Sequence, residues 1–168
     1  MSARLGYNGL IIVRAPYLYG PGNSSDRELF FWRHAVNGLP IYIPDRDTFA
    51  NFIFVDDFAK AIIAIGETDT DFDNGLINIS SGQAISLRQF TDACVAVCGA
   101  NTSLIKEVDN TYYGIEPRRF FPFRTDNLVL SNDLFQKHFP SNEFQTDLRI
   151  GLKPVSYTHL TLPTIYSV

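Results

Sequence analysis

The side chains that could do chemistry in this chain are few and stand in short clusters. Cys94 and Cys98 lie one helical turn apart inside an apolar stretch. A zinc site would need two further ligands, and neither His34 nor His138 stands at zinc-motif spacing from the pair. The spacing predicts buried free thiols on a core-facing stripe, with neither a metal centre nor a disulfide. Asp56 and Asp57 are adjacent carboxylates that acid–base or metal chemistry could use, but an apolar helix starts immediately after them. That order predicts a capping role, a side-chain acceptor and a negative charge at a helix N-terminus. Arg118, Arg119 and Arg124 are the one concentration of positive charge, in a loop over 112–124 dense in Tyr, Arg, Phe and Pro. Neither a GxGxxG nor a Walker loop is present, and HExxH and GxSxG are absent too.

The elements that must hold these residues alternate between strand-like and helix-like, the pattern of an α/β domain. Leu10-Ile11-Ile12-Val13 is wholly apolar, as in a buried parallel strand, and Tyr19-Gly20-Pro21-Gly22-Asn23 then forces a turn. Ser25 and Glu28 have capping-box spacing ahead of a helix that carries Trp32 and stops at Gly38. Ile41-Tyr42-Ile43 and Phe52-Ile53-Phe54-Val55 read as short strands, and a helix runs from Phe58 to about Gly66. Leu76-Ile77-Asn78-Ile79 is a further strand. Ser86 and Gln89 form a second capping box for a helix over 87–98, closed by Gly99. A strand over 104–108, an apolar 128–130 segment and short helices from Asn132 and Asp147 follow. Trp32 and most of the phenylalanines are expected in the core.

The 168 residues carry 14 Lys and Arg against 18 Asp and Glu, a net charge of −4, and are 45% hydrophobic. This supports one core and argues against general binding to a phosphate backbone, so a nucleic-acid partner is not expected. No apolar run approaches the roughly 18 residues of a membrane span, and the start lacks a signal-peptide pattern. No membrane association and a cytoplasmic location are therefore expected. Residues 154–168 include an eleven-residue run, Pro154 to Thr164, with no charged side chain and no structural period. That run resembles the translated read-through of a transposon-based sequencing adapter and is expected to be a non-native tail.

Four blocks in a fixed order carry a family resemblance. They are Val13-Arg14-Ala15-Pro16-Tyr17-Leu18-Tyr19-Gly20-Pro21-Gly22, then Asn37-Gly38-Leu39-Pro40-Ile41. Asn51-Phe52-Ile53-Phe54-Val55-Asp56-Asp57-Phe58-Ala59-Lys60-Ala61 is the third, and Asn78-Ile79-Ser80-Ser81-Gly82 with Ile85-Ser86-Leu87 is the fourth. Over residues 3–153 the chain resembles the C-terminal portion of an NAD(P)-dependent epimerase/dehydratase of the extended short-chain dehydrogenase type. Phe121-Pro122-Phe123-Arg124 resembles the atypical branch that includes the chloroplast stem-loop RNA-binding proteins.

The resemblance implies an incomplete Rossmann-type α/β domain, its last strands, together with the small substrate-binding lobe. It implies NAD or NADP as cofactor, with Pro16, Tyr17 and Leu18 beside the nicotinamide; a turn rich in Pro and Gly for conformational reasons alone is the other reading. It implies a small, sugar-like substrate contacted by Asn23 and Arg124, since a guanidinium fork suits phosphate. An arginine packed on Phe120 or Phe123 is the alternative for this cluster. The family's glycine-rich loop and Tyr-x-x-x-Lys pair are not in the sequence. No catalytic residue is therefore expected here, and the chain is expected to be inactive alone, with an internal or artificial start. Two substrate positions also depart: Tyr17 stands where the family usually has Asn, and Ala50 where it has Arg. A non-catalytic binding or regulatory protein, for RNA or redox sensing, is the alternative on the same scaffold.

Overall fold

A computed structural model of the chain describes residues 10–153 apart from 24, 26, 69–71, 73 and 74. The expectations for the N-terminal start and for a tail at 154–168 lie outside the described residues.

Seven strands and five α-helices are described: β1 (Ile12–Arg14), β2 (Tyr17–Tyr19), α1 (Arg27–Val36), β3 (Ile41–Pro44), β4 (Phe49–Phe54), α2 (Val55–Gly66), β5 (Leu76–Asn78), β6 (Ala84–Ser86), α3 (Leu87–Val97), β7 (Ile105–Val108), α4 (Asn110–Tyr113) and α5 (Asp133–His138). A further helical segment includes 148–153. β1 pairs with β5, β2 with β4, and β3 with β7, all parallel; β6 runs antiparallel to β4. The α/β class read from the sequence is the class observed.

The β2–β4 pair separates two cores because its side chains alternate between faces, as the period of a strand requires. Tyr17, Tyr19 and Phe52 join a cluster with Phe31 and Trp32 of α1, Ile41 and Ile43 of β3, and Phe90, Cys94 and Val95 of α3. Leu18 and Ile53, one position along, join a second cluster with Ala61 and Ile65 of α2, Ile77 of β5 and Phe135 of α5. Both the buried Trp32 and the free Cys94 sit where the apolar stripes place them.

The second capping box forms as read: the Gln89 amide N–H donates to Ser86 Oγ at 3.1 Å and the Ser86 N–H donates to Gln89 Oε1 at 2.8 Å. The first does not. Ser25 donates from both its N–H and its hydroxyl to Asn23 Oδ1, and the Glu28 carboxylate accepts from Asn23 Nδ2. The Asn23 amide intercepts both partners and builds a turn in place of the box. A second correction concerns the acidic pair. α2 begins at Val55, and its N-cap, Phe54, offers no side-chain bond. Asp56 lies exposed in the first turn, whereas Asp57 is buried and accepts from Thr146 N at 2.6 Å and Thr146 Oγ1 at 2.9 Å. Asp57 therefore ties α2 to the chain's last described segment, while only the charge placed near the helix N-terminus follows the sequence reading. A third correction is burial at the first strand: β1 is parallel as expected, but Leu10 and Ile12 are exposed. Among the described residues β1 has one strand neighbour, so only part of that apolar run is covered.

Candidate substrate and dinucleotide site

Pro16 and Tyr17 stand at the start of β2, held by parallel pairing that sets Tyr17 opposite Phe52 and Leu18 opposite Ile53. Pro16 is buried and Tyr17 half-buried. The Tyr17 ring meets Phe123 edge-on at 4.9 Å between centroids and Phe52 at 5.6 Å. Above it lies the Arg27 guanidinium, 4.8 Å from the ring centre and 5.7 Å from that of Phe123. A cation over two ring faces is attracted by their quadrupoles, which fixes the arginine's head beside Tyr17.

Arg27 also opens onto a cavity of ≈ 420 Å³ that it lines with Ser25, Arg33, His34, Arg118 and Pro122. Arg118 Nη1 donates to the Pro122 carbonyl within the loop, and both residues line the cavity. His34 Nδ1 lies 2.8 Å from the Phe30 carbonyl. A carbonyl only accepts, so Nδ1 carries the proton and Nε2 is left as the open ring nitrogen. Ion pairs among the described residues involve Arg88 alone, with Asp92 and Glu107. Three arginines thus line one concave surface to which no described carboxylate contributes, an arrangement suited to a phosphate or other dianion.

The residues named from the sequence divide. Pro16, Tyr17 and Leu18 form one continuous strand entry. Asn23 is different: its Nδ2 donates to the Leu18 carbonyl at 3.2 Å and to Glu28, and its Oδ1 accepts two bonds from Ser25. All four positions of the amide are committed inside the chain, so Asn23 shapes the turn and has no free group for a ligand. Arg124 is exposed and does not line the arginine cavity, although its neighbour Phe123 is buried against Tyr17. The ring packing anticipated for the Arg118–Arg124 cluster is instead made by Arg27. The sequence held one signal for it: Arg27, Phe30 and His34 share a helix face at i, i+3 and i+7. Ala50 is buried in β4, where a guanidinium would have no access to water.

Among the described residues no group of three His, Cys, Asp or Glu side chains is placed to hold a metal. Burial raises the pKa of both cysteines and of Tyr19. It pushes the Cys98 thiol up to about 11 from an ordinary value near 9. Cys94 is raised well above that range by burial, with Glu28 and Cys98 adding to it. Tyr19 is also raised, first by burial and then by the negative charge of Asp57 and Asp147. Each folded pKa lies above its unfolded value, so the stability these groups contribute is complete below the unfolded pKa. It is lost as pH rises through the folded one. The urea midpoint is therefore expected to fall between about pH 9 and about pH 11, beyond any change between about pH 7 and pH 8. Cys98→Ala should flatten part of that fall, and an unchanged profile in the variant would remove Cys98 as its source.

No family profile matches the sequence, and no curated relative matches it. Solved structures match the fold. A dTDP-glucose 4,6-dehydratase from Bacillus anthracis in complex with NAD aligns at TM-score 0.66 and 14% identity, over 89% of this chain and 44% of that one. A UDP-N-acetylglucosamine 4-epimerase from Bacillus cereus aligns at TM-score 0.67 and 15% identity, over 92% and 47%. A UDP-glucuronic acid 4-epimerase from Bacillus cereus, in complex with UDP-glucuronic acid and NAD, aligns at TM-score 0.65 and 16% identity, over 89% and 45%. The chain thus has the α/β, Rossmann-like fold of part of such a domain and spans less than half the length of these neighbours. No described helix is long and apolar enough to cross a membrane.

Proposed function

We propose that the chain is the substrate-side portion of an NAD(P)-dependent epimerase or dehydratase acting on a nucleotide-sugar or sugar-like substrate, inactive without a dinucleotide-binding half. The observation that carries this reading is the extent of the fold match: about nine-tenths of this chain lies on less than half of enzymes solved with NAD. In this reading Pro16, Tyr17 and Leu18 pass beside the nicotinamide, where Pro16 offers a fixed φ and no competing N–H. A cytoplasmic setting belongs to the same proposal.

Substrate phosphates would meet Arg27, Arg33 and Arg118. This shifts the cationic role from the strand position now occupied by Ala50 to the exposed face of α1. Hydride transfer and the acid–base step belong to groups that this sequence does not contain, so the contribution of these residues is to bind and orient. The departures at Tyr17 and Ala50 favour a second reading, a binding protein on the same scaffold, and the same arginines would then serve a phosphorylated ligand without turnover.

Calorimetry separates the two. A longer protein joining this chain to a glycine-rich loop and a Tyr-x-x-x-Lys pair should bind NAD or NADP, and the chain alone should bind UDP but turn nothing over. Arg27→Ala should weaken UDP binding by about tenfold, the scale of one charge-assisted hydrogen bond. Absence of dinucleotide binding by the longer protein would sink the enzyme reading.

A further inference from the structure

A second cavity, of ≈ 470 Å³, shares no lining residue with the arginine cavity. Its walls come from the turn between β5 and β6, from α5, and from the segment that leads into the 148–153 helix. Tyr19, Phe52 and Phe54 give it an aromatic floor; the Tyr19 and Phe54 rings are 5.6 Å apart and tilted. Gln83, Gln136 and Gln145 present exposed amides around the rim, with Ser81 and Asp147 between them.

Three features define the ligand chemistry. First, no lysine, arginine or histidine among the described residues lines the cavity, while Asp57 and Asp147 both do, so phosphates and carboxylates are repelled. Second, Asp57 already accepts two hydrogen bonds from Thr146, and Asp147 Oδ1 accepts from the Arg149 and Ile150 N–H groups, which leaves the glutamine amides and hydroxyls as the main free polar groups. Third, Tyr19 is only 3% exposed, lines the cavity, and its hydroxyl makes no hydrogen bond to a described residue. The phenol oxygen is therefore a polar group that a bound hydroxyl can reach from the cavity. Backbone choices keep the space open. A Cβ at Gly151 would stand 2.8 Å from Tyr19 Oη and 2.9 Å from the Phe54 ring, and one at Gly82 would press Gln136 Nε2 at 3.2 Å.

We propose that this cavity binds a neutral polyhydroxylated ligand, of the size and chemistry of a monosaccharide, between the Tyr19–Phe54 floor and the amides of Gln83 and Gln136. Each amide gives a donor and an acceptor side by side, which adjacent hydroxyls satisfy in pairs, and the rings accept the apolar face of a sugar. The proposal does not rest on the dehydrogenase reading, since it uses neither the cofactor segment nor the arginines.

The test is ligand-observed NMR and calorimetry on the whole chain with D-glucose, D-galactose, D-glucosamine and glucose 6-phosphate, without any nucleotide. At least one neutral sugar should bind, in about the millimolar range, and glucose 6-phosphate should bind more weakly. Gln136→Ala and Tyr19→Phe should each weaken it by about fivefold, the scale of one net hydrogen bond. Lys106→Ala, at an exposed position of β7 outside the cavity lining, should leave it unchanged. Gln136 is exposed, so its variant should stay folded by circular dichroism even if Tyr19→Phe does not. Failure of both neutral sugars to bind would overturn the proposal. So would tighter, salt-sensitive binding of D-glucosamine, which would mark an ammonium site. Neutral-sugar binding indifferent to Gln136→Ala would place the ligand elsewhere and would also overturn it.

Discussion

Replacing Phe90 by alanine is expected to cost about 3–5 kcal/mol of stability, the range for removing a fully buried aromatic ring. Phe90 is 1% exposed and sits on the core-facing stripe of α3. Its ring stacks on Phe52 at 4.1 Å between centroids and 14° between planes, and meets Phe123 edge-on at 5.3 Å. Tyr19 and Phe31 complete the ring of neighbours at 6.3 Å and 6.2 Å. The space left by the ring is bounded by three phenylalanines and a tyrosine, which can tilt but cannot fill it, so collapse is incomplete and the cavity cost persists. A domain of this size has about 5–15 kcal/mol in total, so the variant should be close to unfolding at physiological temperature. Urea titration of Phe90→Ala beside Phe49→Ala, whose ring is 42% exposed, measures the difference. A loss below about 1 kcal/mol for Phe90→Ala would mean the aromatic cluster repacks and is not the keystone of the first core.

Most of what the sequence reveals here is local, and most of what it hides depends on contacts between distant segments. The Ser86–Gln89 box and the Ser25–Glu28 pair have the same spacing, yet only the first forms. No competing side chain stands beside Ser86, whereas Asn23 is two residues from Ser25 and its amide outcompetes the helix N-terminus for both partners. Burial then holds Glu28 at 3% exposure, a condition no spacing rule encodes, and raises its pKa through desolvation against the Asn23 bonds. Asp57 repeats the lesson. A carboxylate at the start of an apolar helix reads as a cap, but its partner Thr146 is 89 residues away.

The candidate site divides along the same line. Pro16 to Leu18 is legible because a distinctive string of Pro, Tyr and Gly marks the turn. The strand inside it is not, because three residues between Pro16 and Gly20 carry too little pattern to distinguish extended backbone from loop. Arg27 escapes notice as a site residue because its importance comes from standing over Tyr17, ten positions earlier, once β2 and α1 are folded together. Arg124 stands out in the sequence only for its company; the loop turns it outward while Phe123 goes in, an alternation that only the finished core imposes.

That same turn yields the second large effect. Gly20→Ala should destabilise the chain by about 3–5 kcal/mol and should also disturb the segment at Pro16 to Leu18. Two costs add at this position. Gly20 has φ of +127°, a region L-residues rarely enter, at about 1–3 kcal/mol. Its added Cβ would also stand 2.8 Å from Phe54 Cε2 and 2.8 Å from Val55 Cγ1, and crowding of this kind costs a further ~1–3 kcal/mol. Gly22 separates the two terms. Its φ is +77°, but nothing lies within 4 Å of where a methyl would stand, so Gly22→Ala should show the backbone term alone, about 1 kcal/mol. The steric term has a direction. Phe54 and Val55 join β4 to α2, so relief of the clash pushes β4 away from β2 and loosens the Tyr17–Phe52 register. Arg27 over Tyr17 then loses its seat, and UDP affinity should fall in Gly20→Ala while it holds in Gly22→Ala. Equal losses of stability in the two variants would show that the backbone alone requires glycine here. A Gly20→Ala protein that is destabilised yet binds UDP at full strength would detach the turn from the arginine site.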